Sequence, residues 1–135
     1  MRYLYHATRD RFFQSIRREG IRTKHKKSYR GQVGEELVYL ADDPDLAASF
    51  VEAADNIPES WEDDHIIVLA VRCNFIDSNK LITDPNMLPD DYGEIHTFAY
   101  KNIILPQQIE IMNFEDKRFE AILRVNRLNE KYYYE

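Results

Sequence analysis

The chain holds few of the residues that would place it in several common classes. One cysteine, Cys73, in 135 residues leaves no partner for an internal disulfide. At the end of an apolar run it reads as a buried, inert thiol rather than a nucleophile. Four glycines form neither a G-x-G-x-x-G nor a G-x-x-x-x-G-K-[ST] loop, so the two common glycine-rich phosphate cradles are missing. H-E-x-x-H is absent, and His6, His25, His65 and His96 show no ligand spacing with a cysteine, so no metal is expected. No serine sits in a G-x-S-x-G context. The strongest apolar run, Ile66 to Val71, is far shorter than the roughly 20 residues that span a bilayer. No membrane partner is expected. The start, Met1 to His6, carries no signal-like apolar region, so a cytoplasmic location is the default expectation.

What is present suits one soluble globular domain over residues 1–135. Apolar residues make up 44% and charged residues 31%, enough for a core under a solvated surface. Net charge is -6, unevenly spread. From Arg17 to Arg30, seven basic residues face one acid, a local +6 that leaves -12 for the rest. An acidic body argues against broad nucleic-acid binding. The basic segment is either a local anion site or a solvated loop.

Along the chain, Arg2–His6 reads as a strand. A helix follows, capped by Thr8 or Asp10, with Phe12, Phe13 and Ile16 on one side and a stop at Gly20. Residues 22–36 read as a long surface loop. Leu37–Ala41 is a strand, and Asp42-Asp43-Pro44 opens a helix with an aspartate cap and a proline in its first turn. His65–Asn74 is a continuous apolar strand, expected to be covered on both faces. Residues 80–82 are a short strand and 84–93 a loop. In Glu94–Tyr100 the side chains alternate, with Glu94, His96, Phe98 and Tyr100 on one face. Ile103–Met112 gives a bent strand or a strand pair around Pro106. Residues 115–129 are expected to be helical, with a frayed tail at 130–135. Strands cluster in the second half, which favours α+β over a doubly wound α/β fold.

Four features at element ends carry candidate chemistry: His6, Tyr39, Glu94 and the basic loop. Singly, each has a plain structural reading: a satisfied histidine, a core tyrosine, a solvated glutamate, a solvated charge run. In combination they are more informative. Tyr5-His6-Ala7-Thr8, a helix ending Glu19-Gly20-Ile21, Val38-Tyr39-Leu40-Ala41-Asp42 before a helix with Ala47, Ala48 and Phe50, and Tyr92-Gly93-Glu94 opening a strand follow in order. This arrangement resembles the ADP-ribosyltransferase superfamily, in its diphtheria-toxin and poly(ADP-ribose)-polymerase branch with a His-Tyr-Glu signature. The resemblance runs from about residue 3 to residue 112.

The resemblance implies a single-domain α+β fold with a split, mixed β-sheet and flanking helices, and an enzyme that uses NAD as co-substrate. It implies that His6 bonds the adenosine ribose and that the Ala7 backbone, beside Thr8, pairs with the nicotinamide amide. Tyr39 and Phe50 would stack on the nicotinamide ring. Arg22, Lys24, Lys26, Lys27 and Arg30 would face the pyrophosphate. Glu94 would stabilise the cationic sugar. Physical chemistry agrees with these roles. Breaking the N-glycosidic bond builds positive charge on the sugar, which a fixed carboxylate stabilises in the transition state. Arginine pairs with phosphate oxygens bidentately.

Three departures stand out. Ala7 replaces the usual glycine, Ala47 a frequent serine, and Tyr92 the acid or amide of the arginine-modifying branch. The expected reaction transfers ADP-ribose to a macromolecular acceptor, protein or nucleic acid. A toxin–antitoxin setting would add a neutralising partner protein. Two alternatives stay open. One is an RNA 2'-phosphotransferase-like enzyme, whose relatives commonly carry histidine at the position of Tyr39. The other is a non-catalytic nucleotide- or partner-binding domain.

Overall fold

A computed structural model describes residues 2–22, 37–53, 57–85, 87, 89–113 and 118–122. The centre is a seven-stranded sheet: β1 (Tyr3–Arg9), β2 (Val38–Ala41), β3 (Ile66–Arg72), β4 (Leu81–Thr83), β5 (Thr97–Tyr100), β6 (Ile109–Asn113) and β7 (Arg118–Ala121). Their order across the sheet is β4-β5-β2-β1-β3-β6-β7. Two α-helices, α1 (Phe13–Glu19) and α2 (Pro44–Glu52), complete the described regular structure with five short 3-10 turns. The fold is α+β. Among the described residues, no helix is long and apolar enough to cross a membrane.

β3 forms where β-branched and aliphatic residues run without a polar break, and Ile67 to Val71 are all buried. Its register with β1 is unbroken from Tyr3↔Arg72 to Arg9↔Ile66. Residues opposite one another in such a ladder share a face. Leu4, His6 and Thr8 therefore lie with Val71, Leu69 and Ile67, where Phe13 and Ile16 of α1 complete the main core. Tyr3, Tyr5 and Ala7 lie with Arg72, Ala70 and Val68 on the other face. α2, which packs on β1, β2 and β3, covers that side and buries Ala47. The expectation that both faces of the 65–74 strand are covered holds.

α2 starts as its sequence dictates. The Asp43 carboxylate accepts the Leu46 N–H at 2.9 Å, and Pro44 sits in the first turn. α1 ends at Gly20, whose N–H bonds the Ile16 carbonyl at 2.8 Å. Gly20 has φ +80°, and a Cβ built there would lie 2.0 Å from the Ile104 carbonyl oxygen. That proximity lets Ile21 and Ile104 exchange backbone bonds at 2.8 and 2.9 Å.

Four expectations are corrected. The expected cap residues do not cap α1: Thr8 lies inside β1, Asp10 opens the 3-10 turn Asp10–Phe12, and Phe12 precedes α1 without a side-chain cap. Among the described residues the sheet is not mixed, since every pairing is antiparallel, and it is one sheet rather than two. The helix expected at 115–129 is a strand over Arg118–Ala121, paired with β6. Helical spacing of Phe119, Ile122 and Leu123 loses there to a period of two, which lays Phe119 on Tyr3 with ring centroids 4.8 Å apart. The rest of the expected helix and the tail lie outside the described residues, as does most of the expected 22–36 loop. The strand expected from Glu94 begins at Thr97.

Candidate functional site

The geometry between β1 and β2 follows from the parity of the antiparallel ladder. The Cys73 N–H donates to the Arg2 carbonyl and the Asp10 N–H to the His65 carbonyl, both at 2.9 Å. With the register unbroken, the even-numbered residues of β1 aim their backbone groups at β3. The odd-numbered ones, Tyr5, Ala7 and Arg9, aim theirs at β2. By the same reasoning Asp42, whose N–H donates to the His96 carbonyl at 2.9 Å, puts even residues of β2 toward β5. Tyr39 and Ala41 therefore face β1. The register between the two strands holds one pair, Tyr5↔Ala41. The next pair in sequence, Ala7 with Tyr39, is not formed. β1 and β2 part there, and the backbone of Ala7 faces the opening.

His6 accounts for the parting. Its Nδ1 lies 2.9 Å from the Tyr39 carbonyl oxygen. A carbonyl only accepts, so Nδ1 carries the proton. The imidazole bonds the same carbonyl that the Ala7 N–H would meet in a continued ladder. His6, Ala7, Thr8 and Tyr39 are all half-buried around this opening. Tyr39 meets His6 through its carbonyl. Strand alternation puts the Tyr39 ring on the face of Tyr5 and Ala41, where α2 carries the half-buried Phe50. Arg22 is exposed and 3.5 Å from Glu19. Lys24, Lys26, Lys27 and Arg30 lie outside the described residues.

Glu94 sits elsewhere. Tyr39 stands opposite Ala99 of β5, five residues after Glu94, about 16 Å of extended chain. The Glu94 side chain is 69% exposed, and its Oε2 lies 3.7 Å from Nε2 of His96. It belongs to a turn organised by Asp90. The Asp90 Oδ1 accepts the N–H groups of Tyr92 (2.8 Å) and Glu94 (2.9 Å). The Asp90 N–H donates to the Glu94 carbonyl at 2.8 Å, and the Gly93 N–H to the Asp90 carbonyl at 2.9 Å. Gly93, at φ +77°, closes the turn.

His96 ties this turn to β2. Its Nδ1 is 2.9 Å from Asp42 Oδ2 and its Nε2 is 2.8 Å from Asp90 Oδ2. A neutral imidazole has one N–H, whereas two carboxylates demand two. The bonds to Asp42 and Asp90 push its pKa from 6.5 up to about 9, so it is an imidazolium at neutral pH. Asp90 is held below the usual carboxylate range, first by the Glu94 N–H and then by His96. Atoms of Asp90, Glu94 and His96 lie within 4.8 Å of one another. With both ring nitrogens donating to carboxylates, the trio is a hydrogen-bonded cluster and offers no free nitrogen to a cation.

Two features escaped the sequence reading. The His96 cluster depends on His96 meeting Asp42 across 54 residues and Asp90 across 6. A signal existed in the acid-rich 84–94 segment preceding a histidine. The other is the His6–Tyr39 bond, which no spacing encodes. Cys73, expected to be buried, is half-buried in the turn after β3, and partial burial pushes its thiol pKa up. No family model, curated protein or solved structure matches the chain.

Proposed function

We propose that the chain is a NAD-dependent ADP-ribosyltransferase that seats the nicotinamide end of NAD in the opening between β1 and β2. One observation carries this reading. The Ala7 backbone faces Tyr39 of β2 beyond the end of the β1–β2 ladder, where the His6 ring bonds the Tyr39 carbonyl. An amide donor and acceptor on one residue edge match a carboxamide, which needs one of each. His6 on β1 and Tyr39 on β2 lie on neighbouring strands, and Glu94 precedes β5, the strand on the other side of β2. In this reaction the bond from the nicotinamide nitrogen to ribose breaks, and its electron pair leaves with nicotinamide. The cationic sugar is then attacked by a nucleophile of the acceptor, which gives up its proton to solvent or base. Glu94 is the carboxylate that stabilises the sugar cation, and its distance from the opening requires the Asp90–Glu94 turn to fold inward on binding.

The same distance favours a second reading: the opening binds a nucleotide without turnover, and Glu94 serves only its own turn. Nicotinamide release from NAD separates the two. Under the first reading the wild-type chain releases nicotinamide and Glu94→Gln slows release by about 100-fold or more while NAD still binds. Binding with no release by the wild type supports the second reading. Equal release by Glu94→Gln removes Glu94 from the chemistry.

A further inference from the structure

We infer that His96 is a latch that holds the Glu94-bearing turn against the end of β2 only while its imidazole carries both protons. The ring spans two separate elements. Nδ1 donates to Asp42, the residue after β2, at 2.9 Å, and Nε2 donates to Asp90, the hub of the turn, at 2.8 Å. Deprotonation leaves one N–H for two carboxylates, so one bond must become a lone pair facing an anion. Either the grip on β2 or the grip on the turn is then lost. Among the described residues, the charged groups paired with the ring are acidic: Asp42 just after β2, and Asp90 and Glu94 from the turn. On the β4 side, the Asp84 N–H bonds the carbonyl of Thr97, the residue after His96, at 3.1 Å.

The latch closes on the element that the proposed reaction needs to move. Asp90 accepts three bonds through its side chain, two from the turn and one from His96. The turn is thus ordered internally by Oδ1 and anchored externally by Oδ2. Releasing His96 frees the turn as a body without dismantling it. That consequence for catalysis rests on the ADP-ribosyltransferase reading, whereas the latch itself does not. His96 is a positioning residue, acting through the turn.

The test has two arms. In the full chain with labelled histidine, ring nitrogen shifts followed from pH 6 to 10.5 report the protonation of His96. At pH 7.5 both of its ring nitrogens are expected to be protonated. Asp42→Asn is expected to weaken proton binding at least tenfold, and His96→Gln at pH 7.5 to lower the backbone order of Tyr92 and Glu94 relative to wild type. A His96 ring that titrates at the ordinary 6.5, or that is unmoved by Asp42→Asn, overturns the latch even if His96→Gln fails to fold. The second arm is nicotinamide release from NAD between pH 7 and 9.5, corrected for spontaneous hydrolysis. Wild-type release is expected to rise severalfold as the latch opens, and His96→Gln to start high and stay flat. Equal pH profiles in the two proteins overturn the positioning role. A chain that releases no nicotinamide at any pH refutes the proposed reaction, and the ring measurements still decide the latch.

Discussion

Gly20 shows how one residue can be irreplaceable for two independent reasons. Its φ of +80° lies in the left-handed region, and the space for a Cβ is filled by the Ile104 carbonyl at 2.0 Å. Gly93 shares only the first reason, with φ +77° and nothing within 4 Å of an added Cβ. Gly93→Ala therefore costs about 1 kcal/mol of backbone strain. Gly20→Ala must also push β-bridge backbone aside, and about 3 kcal/mol is expected. Thermal melts of the two variants check this: Gly20→Ala should melt well below Gly93→Ala, and equal shifts would show that the Ile21–Ile104 bridge yields freely. His6 is the other decisive residue. Its ring bonds a backbone acceptor across 33 residues and ends the β1–β2 ladder after one pair. The sequence marks His6 as a candidate through its strand-end position. It does not say that the ring would bind the chain rather than a ligand.

At the scale of elements, legibility followed how local each determinant is. α2 could be read because its cap and proline lie within two residues of its start. β3 could be read because its apolar run is self-contained. β7 could not, because its state is decided by Tyr3 and β6, more than 100 residues and a few residues away respectively. The 94–100 strand lost its first three residues because Asp90 captures the Glu94 N–H and His96 is drawn to Asp42. The link between turn and β2 also makes stability depend on pH. His96 has its pKa raised from 6.5 to about 9 in the folded chain. Its contribution is complete below about pH 6.5 and is lost as the pH rises through about 9. Tm of the wild type is thus expected to decline between pH 7 and 10 more steeply than that of His96→Gln. Parallel declines would mean that other groups account for the slope.

For the molecule as a whole, the α+β class was legible from strand clustering, but the sheet's construction was not. Composition carries no information on whether strands pair parallel or antiparallel, and the resemblance pointed to a split, mixed sheet. The strand order brings β1, β2 and β5 side by side, and their single weak junction lies between β1 and β2. The candidate site was legible in part. His6, Ala7 and Tyr39 do gather at one opening, whereas Glu94 stands apart in a turn held by His96. That split comes from side-chain bonds formed between distant segments, which spacing does not record. If NAD seats in the β1–β2 opening, as proposed, titrating the labelled chain with NAD moves the backbone amides that line it. Saturable shifts at Ala7 and Tyr39, with Ile111 on the far side of β3 unmoved, are expected. No saturable shift at either amide up to millimolar NAD would rule that seat out.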